Sequence, residues 1–454
     1  MGTTLNSPKK RKSTEYLAVA GGQAVENYDW MLYGLFAAWF APQFFPSGHA
    51  LTSTLTALAV FGVSFLARPL GAVLLGPMAD RVGRKPMMLI SISIMSIASL
   101  LIGFLPTAES IGWLAGALMV FLRLLQGFSI GVEQPLMASY VVELAPQGRT
   151  AWYAGMMQAA TSAGNLLASS IAFGIGLTLG DAAMSEWGWR IGFWIGGALG
   201  LFVLWLRRGL PETLSKEAVP EAQRTTNEVW GGIRRHWLAL TAIIFIVGGT
   251  QVIGYGWNTG IPSTAKAVFG ESATLIFGIT SLMTAIILVS SPFAGRIADH
   301  FGLGRTFVWT RLASIPAVFV LLLYTSPSAT AFILVMLLGA LIQPFALAFF
   351  NAVIATLMPA GSRVTGVGLG YSLGVAVFGG TASYILVWLS GMGVFWLFPL
   401  YIAALLAIGV LLYVLALRGT GLYQGSFGPL ADRGTERRVV ADETRAGEAP
   451  TANQ

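Results

Sequence analysis

The sequence predicts an all-α membrane protein whose twelve transmembrane helices form two pseudo-symmetric six-helix bundles. Three observations predict it. Apolar residues make up 55% of the chain and charged residues only 10%, too few water-binding groups to cover a soluble surface. Apolar windows of about 18 residues or more, the length that crosses a bilayer core, recur from Tyr16 to Leu417. Polar turns of the first half return, weakened, in the second.

The windows fall at residues 16–43, 55–78, 86–105, 112–145, 150–178, 190–207, 237–260, 272–298, 306–325, 329–358, 364–390 and 393–417. The first follows "KKRK", Lys9–Lys12. It is full length and carries Glu26 and Asp29, so it reads as a retained helix with a basic anchor rather than a cleaved signal peptide. A nuclear-targeting reading of the same four residues does not suit so hydrophobic a chain. The second window ends in a basic turn, "GPMADRVGRKP", Gly76–Pro86. The fourth ends in "ELAPQGR" and the sixth opens on "WGWRIGFW". The longest polar interruption, Arg207–His236, then divides the chain six plus six. The eighth window ends in "GRIADHFGLGR", Gly295–Arg305, a copy of the basic turn in which Asp299 stands for Asp80, and "MPAGSR" at Met358 echoes "APQGR" at Ala145. The expected organisation is a cytoplasmic segment 1–15, a bundle 16–208, a cytoplasmic linker 209–236 with some helix, a second bundle 237–418, and a disordered polar tail 419–454.

Placing the N-terminus in the cytoplasm gathers Lys9–Lys12, Arg81, Arg84, Lys85, Arg149, Arg207, Arg208, Arg234, Arg235, Arg305 and Arg363 on one side. The other side keeps little more than Arg190 and Lys266. That asymmetry puts both termini on the cytoplasmic side of a cell membrane. The net charge of +7 then reflects orientation and contact with anionic lipid, and gives no support to nucleic-acid binding. The chain has no cysteine, its three histidines (His49, His236, His300) lie near segment ends, and it has no phosphate loop of the Walker type. An enzyme, a bound metal and a cofactor are therefore not expected; work across the membrane has to run on a gradient.

The residues carry a resemblance. "GPMADRVGRKP" matches the turn between the second and third helices of the major facilitator superfamily, and "ENYDWMLYG", "FLARPLGA", "RLLQGFSIGVE", "ELAPQGR" and "WGWRIGFW" are similar to its metabolite:proton symporters over most of residues 20–215. The resemblance implies the major facilitator fold and a monomeric secondary transporter that takes up a small organic acid with a proton by alternating access. A zwitterionic osmolyte as substrate, or proton antiport of drugs or metabolites, are the alternatives. The fifth window lacks the Gly-Pro kink typical of such antiporters, which favours symport. A substrate-sensing receptor of the same fold usually carries a large extra domain, of which the chain shows no sign.

Ionisable groups cost about 2.5–3.5 kcal/mol each at a bilayer centre, so they line cavities or pair. Here Glu26 and Asp29 in span one, Arg68 in span two, and Arg123 and Glu133 in span four concentrate in the first half, and Arg311 stands alone in the second. Glu26, Asp29 and Tyr33 share one helical stripe, as do Arg123, Gln126 and Glu133. Arg123 and Glu133 lie about 15 Å apart along their axis, too far to bond, so Glu26 or Asp29 is the expected partner of Arg68 or Arg123. Three carboxylates against two guanidiniums leave one negative charge, which one proton cancels. Carboxylates can take up and return that proton; a guanidinium cannot. Asp29 and Glu133, then Glu26, are the candidate proton sites. Arg123, Arg68, Tyr33 and Gln126 are candidates for substrate binding. The competing reading is a permanent salt-bridge lock, with Arg68 bracing a kink before Pro69.

Among neutral groups, Gln158, Ser162 and Asn165 share a stripe of span five, span seven carries Gln251, Tyr255, Trp257 and Asn258, and spans ten and eleven add Gln343, Asn351 and Tyr371. Such groups bind substrate or tie helices together. Gln158, Asn165, Tyr255 and Asn258 are preferred as ligands because the resemblance places their spans around the cavity. In the basic turn, Gly76 and Gly83 permit close helix approach and Asp80 accepts backbone N–H groups from a helix start, expected at span eleven. Arg81, Arg84 and Lys85 face inner headgroups. The turn is read as a gate latch, with Asp299 its weaker copy, against the plainer reading of an orientation signal alone.

Overall fold

The computed structural model describes residues 8–82, 84–144, 148–208, 226–358 and 363–419, and among them the chain is helical with no strand. A bilayer demands this, since a helix satisfies its backbone polar groups within one segment. The first half comprises α1 (Pro8–Phe44), α2 (Ala50–Val82), α3 (Arg84–Phe104), the single turn α4 (Ala108–Ile111), α5 (Leu114–Leu144), α6 (Thr150–Ala183) and α7 (Trp189–Arg208). The second comprises α8 (Thr226–Arg235), α9 (Trp237–Tyr255), α10 (Ile261–Ala267), α11 (Ala273–Phe301), α12 (Leu303–Ala317), α13 (Ala329–Leu347), α14 (Phe350–Leu357), α15 (Arg363–Gly374), α16 (Gly380–Gly391) and α17 (Leu397–Gly419).

Among the described residues eight stretches are long and apolar enough to cross a membrane, and Leu89–Phe104 and Leu114–Ile130 are shorter apolar helices. The difference from twelve windows has physical causes. The fifth and sixth windows run together as Thr150–Trp205, because a π-helical turn, Met184–Gly188, joins α6 to α7 and only Gly180, at φ 74°, breaks the regular backbone. α1 is long enough, but Gln23, Glu26, Asn27 and Asp29 lower its hydropathy. Other windows are subdivided. A π-helical turn Gly256–Gly260 joins α9 to α10, another at Val375–Gly379 joins α15 to α16, and α12 tightens into a 3₁₀ helix, Val318–Leu323, beyond Pro316. Window ten breaks between α13 and α14, just after Pro344, whose ring removes a backbone donor. Of the expected linker, residues 226–235 form α8; residues 209–225 and the tail from 420 onward lie outside the described residues.

Within the halves α2 lies against α5, α3 against α7, and α9 against α17. Between them α6 runs along α11, α16 meets α2, and α10 meets α1. Bare backbone makes the closest approaches possible. A Cβ on Gly155 would lie 2.6 Å from the Ser291 carbonyl oxygen, and one on Gly295 2.2 Å from that of Ala151, so α6 and α11 touch at both glycines. Gly164 brings α6 against α1 in the same way, its missing Cβ 1.9 Å from Ala24 O. We expect Gly164→Val to destabilise the protein by about 1–3 kcal/mol, because backbone cannot yield as a side chain would. Thermal unfolding in detergent checks this, and an unchanged midpoint would contradict so tight a contact. Large apolar side chains such as Leu70, Phe104, Phe121 and Phe293 point outward, and Trp113, Trp205, Trp237 and Trp396 are exposed near helix ends, as suits a lipid-facing surface with interfacial tryptophans.

Candidate functional site

The middle of α1 supplies the centre of the site. Glu26, Asp29 and Tyr33 fall on one stripe, all buried, with Trp30 beside them. Asp29 is 2% exposed; its Oδ1 accepts a hydrogen bond from Ser99 Oγ on α3, and its Oδ2 accepts one from Gln126 Nε2 on α5 at 2.7 Å. Gln126 Nε2 also donates to Ser99 Oγ at 2.9 Å, while Gln126 Oε1 accepts from Arg123 Nη1 at 2.7 Å. Asp29 and Arg123 therefore communicate through an amide that donates at one end and accepts at the other. The sequence suggested a direct pairing of carboxylate and guanidinium; Gln126, one turn beyond Arg123 on α5, reaches both and comes between them.

The two arginines lie on aromatic faces. The Arg123 guanidinium carbon is 4.2 Å from the Tyr33 ring centre, 4.6 Å from Trp30 and 5.5 Å from Phe61, and that of Arg68 is 4.2 Å from Trp30 and 4.4 Å from Phe65. Trp30 thus holds both cations, an arrangement worth up to about 2 kcal/mol per contact where water is excluded. Tyr255 of α9 closes the group from the second half, its ring standing edge-on to Phe61 at 5.7 Å and Phe65 at 5.2 Å. Glu26 lies near enough to act electrostatically on Tyr255 and Tyr371. Arg123 Nε and Nη2 and Arg68 Nε are buried donors without a hydrogen-bond partner.

The other expected residues divide. The Tyr33 hydroxyl donates to Ala57 O at 3.2 Å, so this residue offers Arg123 its ring. Asn258, on the π-helical turn, donates to Gln343 Oε1 at 2.9 Å and to Gly254 O at 2.8 Å, and its own Oδ1 has no partner. Trp257 donates to Val335 O and belongs to the helix contacts of the second half. Gln158 and Asn165 are half-buried on α6. Arg311 donates to Thr250 Oγ1 and Ala346 O, tying α12 to α9 and to the end of α13. Gly83, and the side chains of Glu133, Asp80, Arg81 and Arg84 together with the surroundings of Gly76, lie outside the described residues. Among the described residues no three acidic or histidine side chains gather as metal ligands.

Asp299, near the end of α11, accepts N–H groups of Ala151 at 2.9 Å and Trp152 at 2.8 Å, in the first turn of α6. The reverse arrangement closes the opposite end: Asp181, near the end of α6, accepts the Ala273 N–H that opens α11 at 2.8 Å, with Lys266 Nζ 3.5 Å away. Capping of this kind is worth about 1 kcal/mol. We expect Asp299→Ala to raise maleimide labelling of a single cysteine placed at Ala154, in this cysteine-free chain, by roughly fivefold. Labelling that did not change would show that the bond holds nothing shut.

Sequence reading passed over Ser99, Trp30 and Asp181. The signal for Ser99 was present in "SISIMSIAS", a window with no charge but a run of buried hydroxyls. Asp181 sat at a span end, where charges are ordinary.

The sequence model of the Major Facilitator Superfamily matches residues 19–383. The chain is 33% identical to the alpha-ketoglutarate permease of Escherichia coli (strain K12) over 92% of its own length and 96% of that protein's. It is 32% identical to the citrate-proton symporter of Salmonella typhi, over 80% and 84% respectively. Its fold is similar to the crystal structure of a D-xylose-proton symporter, with TM-score 0.65 at 20% identity over 88% of this chain and 96% of that one.

Proposed function

Because the chain belongs to the major facilitator superfamily, a family of membrane transporters and not of enzymes, we propose that it takes up a small organic acid together with a proton by alternating access. The observation that carries the reading is the chain Asp29–Gln126–Arg123, ending in guanidinium donors that have no partner. A substrate carboxylate would take Arg123 Nε and Nη2 as a fork, the geometry at which arginine is strongest, with Arg68 as a second cation across Trp30. The alpha-ketoglutarate permease and the citrate-proton symporter, both named for organic acids, support the choice of substrate class.

In this reading Asp29 carries the proton, with Glu133 and Glu26 as further carriers. Protonation removes a negative charge two hydrogen bonds from Arg123 and leaves that guanidinium free to hold an anion, so proton and acid load together. Tyr255, Asn258, Gln158 and Asn165 would contact the uncharged part of the substrate. Twelve spans in two bundles, cytoplasmic termini and a monomer complete the proposal, supported by the positive-inside pattern and the α6–α11 contact between halves. The latches at Asp299 and Asp181, with Asp80 expected to act like Asp299, would open alternately.

The aromatic faces of Trp30, Phe61, Phe65 and Tyr255 favour one second reading, a zwitterion with a quaternary ammonium group. Proteoliposomes decide. Inward proton movement on addition of mono-, di- or tricarboxylates, but not betaines, is the expected result; no proton movement with any compound would overturn symport.

A further inference from the structure

The two oxygens of Asp29 face different ways. Oδ2 meets Gln126 and, through it, Arg123. Oδ1 meets Ser99 and faces the bare backbone of Gly196, where a Cβ would stand 3.2 Å from it and 2.8 Å from Cε1 of the Tyr28 ring. Asp29 and Gly196 border a cleft between α1, α3 and α7, lined by Gly22, Glu26, Ser96, Ser99, Gly196 and Gly200, with room for about one water molecule. Three of these six are glycines, and the cleft runs from Asp29 towards the N-terminal end of α1, whereas Arg123 lies over Trp30 and Tyr33, beyond Asp29 in the other direction.

Its residues also order themselves along the helices. From Asp29 to Gly22 is about 10 Å along α1, and Ser99 to Ser96 on α3 and Gly196 to Gly200 on α7 step in the same direction, towards the N-terminal end of α1. Among the described residues no titratable side chain of α3 or α7 lines it. The charged and titratable groups near Asp29 are Glu26 and Tyr28 on its own helix and Arg123 on α5, and the Tyr28 hydroxyl is engaged by Gly192 O at 2.8 Å.

We propose that Asp29 exchanges its proton at Oδ1 through this cleft, on a route separate from the substrate chamber. The inference rests on the reading of Asp29 as the proton carrier. On release, the Asp29 O–H bond breaks with its electron pair left on the carboxylate, and the proton passes to a water in the cleft and then by Glu26 towards the cytoplasmic end of α1. Ser99 is the positioning residue. It donates to Oδ1 when Asp29 is charged, and when Oδ1 carries the proton it accepts, its own O–H turning to the carbonyl of Met95 four residues earlier. The substrate stays on the Oδ2 side throughout, so an occupied chamber does not block proton release.

Altering the cleft tests this. Gly196→Ala places a methyl group 3.2 Å from Oδ1 and 2.8 Å from the Tyr28 ring, which has to give way, and the double variant Ser96→Ala/Gly200→Ala puts a methyl about where Ser96 Oγ stood, 2.0 Å from it, so that the cleft one turn further on loses its polar lining. Both are compared with the parent and Asp29→Asn in proteoliposomes. The probes are radiolabelled mono-, di- and tricarboxylates, followed as net uptake under a pH gradient and as exchange at equal pH. The expected result is a loss of net uptake of about tenfold or more in both cleft variants, with exchange within about twofold of the parent. Parental uptake in the double variant, beside lost uptake in Asp29→Asn, overturns the route and leaves the proton-carrier reading standing. Exchange falling in step with uptake also overturns it, since a structural defect would do the same. If Asp29→Asn itself accumulates acid like the parent, the carrier reading fails and the route with it.

Discussion

Asp29→Asn is expected to abolish accumulation of substrate against a gradient while exchange continues. The hydrogen bonds around residue 29 show why. The Asp29 carboxylate accepts at both oxygens, from Ser99 and from Gln126. An asparagine turned so that its oxygen still accepts from Gln126 presents its NH₂ to Ser99 Oγ, the pattern of an aspartic acid protonated at Oδ1. The variant is thus held in the proton-loaded state and cannot unload. An equilibrium between inward- and outward-facing states that no proton biases brings inside and outside concentrations to a ratio of about 1, and net uptake falls by about a hundredfold. Stability should change little, because a neutral amide replaces a buried charge and keeps the hydrogen bonds to Gln126 and Ser99. Radiolabel accumulation and counterflow in the same proteoliposomes give both quantities. Accumulation at the parental ratio would remove Asp29 from the mechanism.

The sequence carried much of this site because lipid makes charges conspicuous. Asp29, Arg68 and Arg123 stand out in apolar windows, and their burial follows from the cost of placing an ion in hydrocarbon. Two kinds of feature were not legible. One is pairing between helices: spacing on α5 put Arg123 and Gln126 on one face, but not Gln126 between Arg123 and Asp29, which depends on how far α5 stands from α1. The other is neutral residues whose role comes from position alone. Ser99 is one serine among several on α3, and Gly196 and Gly200 are two among 55 glycines in the chain, so only the structure sets them beside a carboxylate. Helix breaks followed a similar rule. Pro316 and Pro344 announce theirs, whereas the π-helical turn that bears Asn258 has no comparable residue to mark it.

Arg123→Lys distinguishes a binding arginine from a structural one better than removal does. Arg123→Ala would leave Gln126 Oε1 without its donor and open a hole against Trp30 and Tyr33, so lost transport could reflect lost structure. Lysine keeps the positive charge and most of the stem. It has no planar fork, so an ammonium that bonds Gln126 cannot also give a carboxylate two parallel N–H groups. Affinity for the transported acid is expected to fall by about 1.5–3 kcal/mol, roughly 10- to 150-fold in half-saturation, while the unfolding midpoint stays near the parent's. Arg68→Lys should cost less, because residue 68 keeps its place over Trp30 and Phe65 by charge alone. Equal losses in the two variants would mean that the acid is held by net positive charge rather than by a fork at Arg123. Parental affinity in Arg123→Lys would make the residue a tie between α5 and α1, and the substrate carboxylate would have to be sought nearer Tyr255 and Asn258.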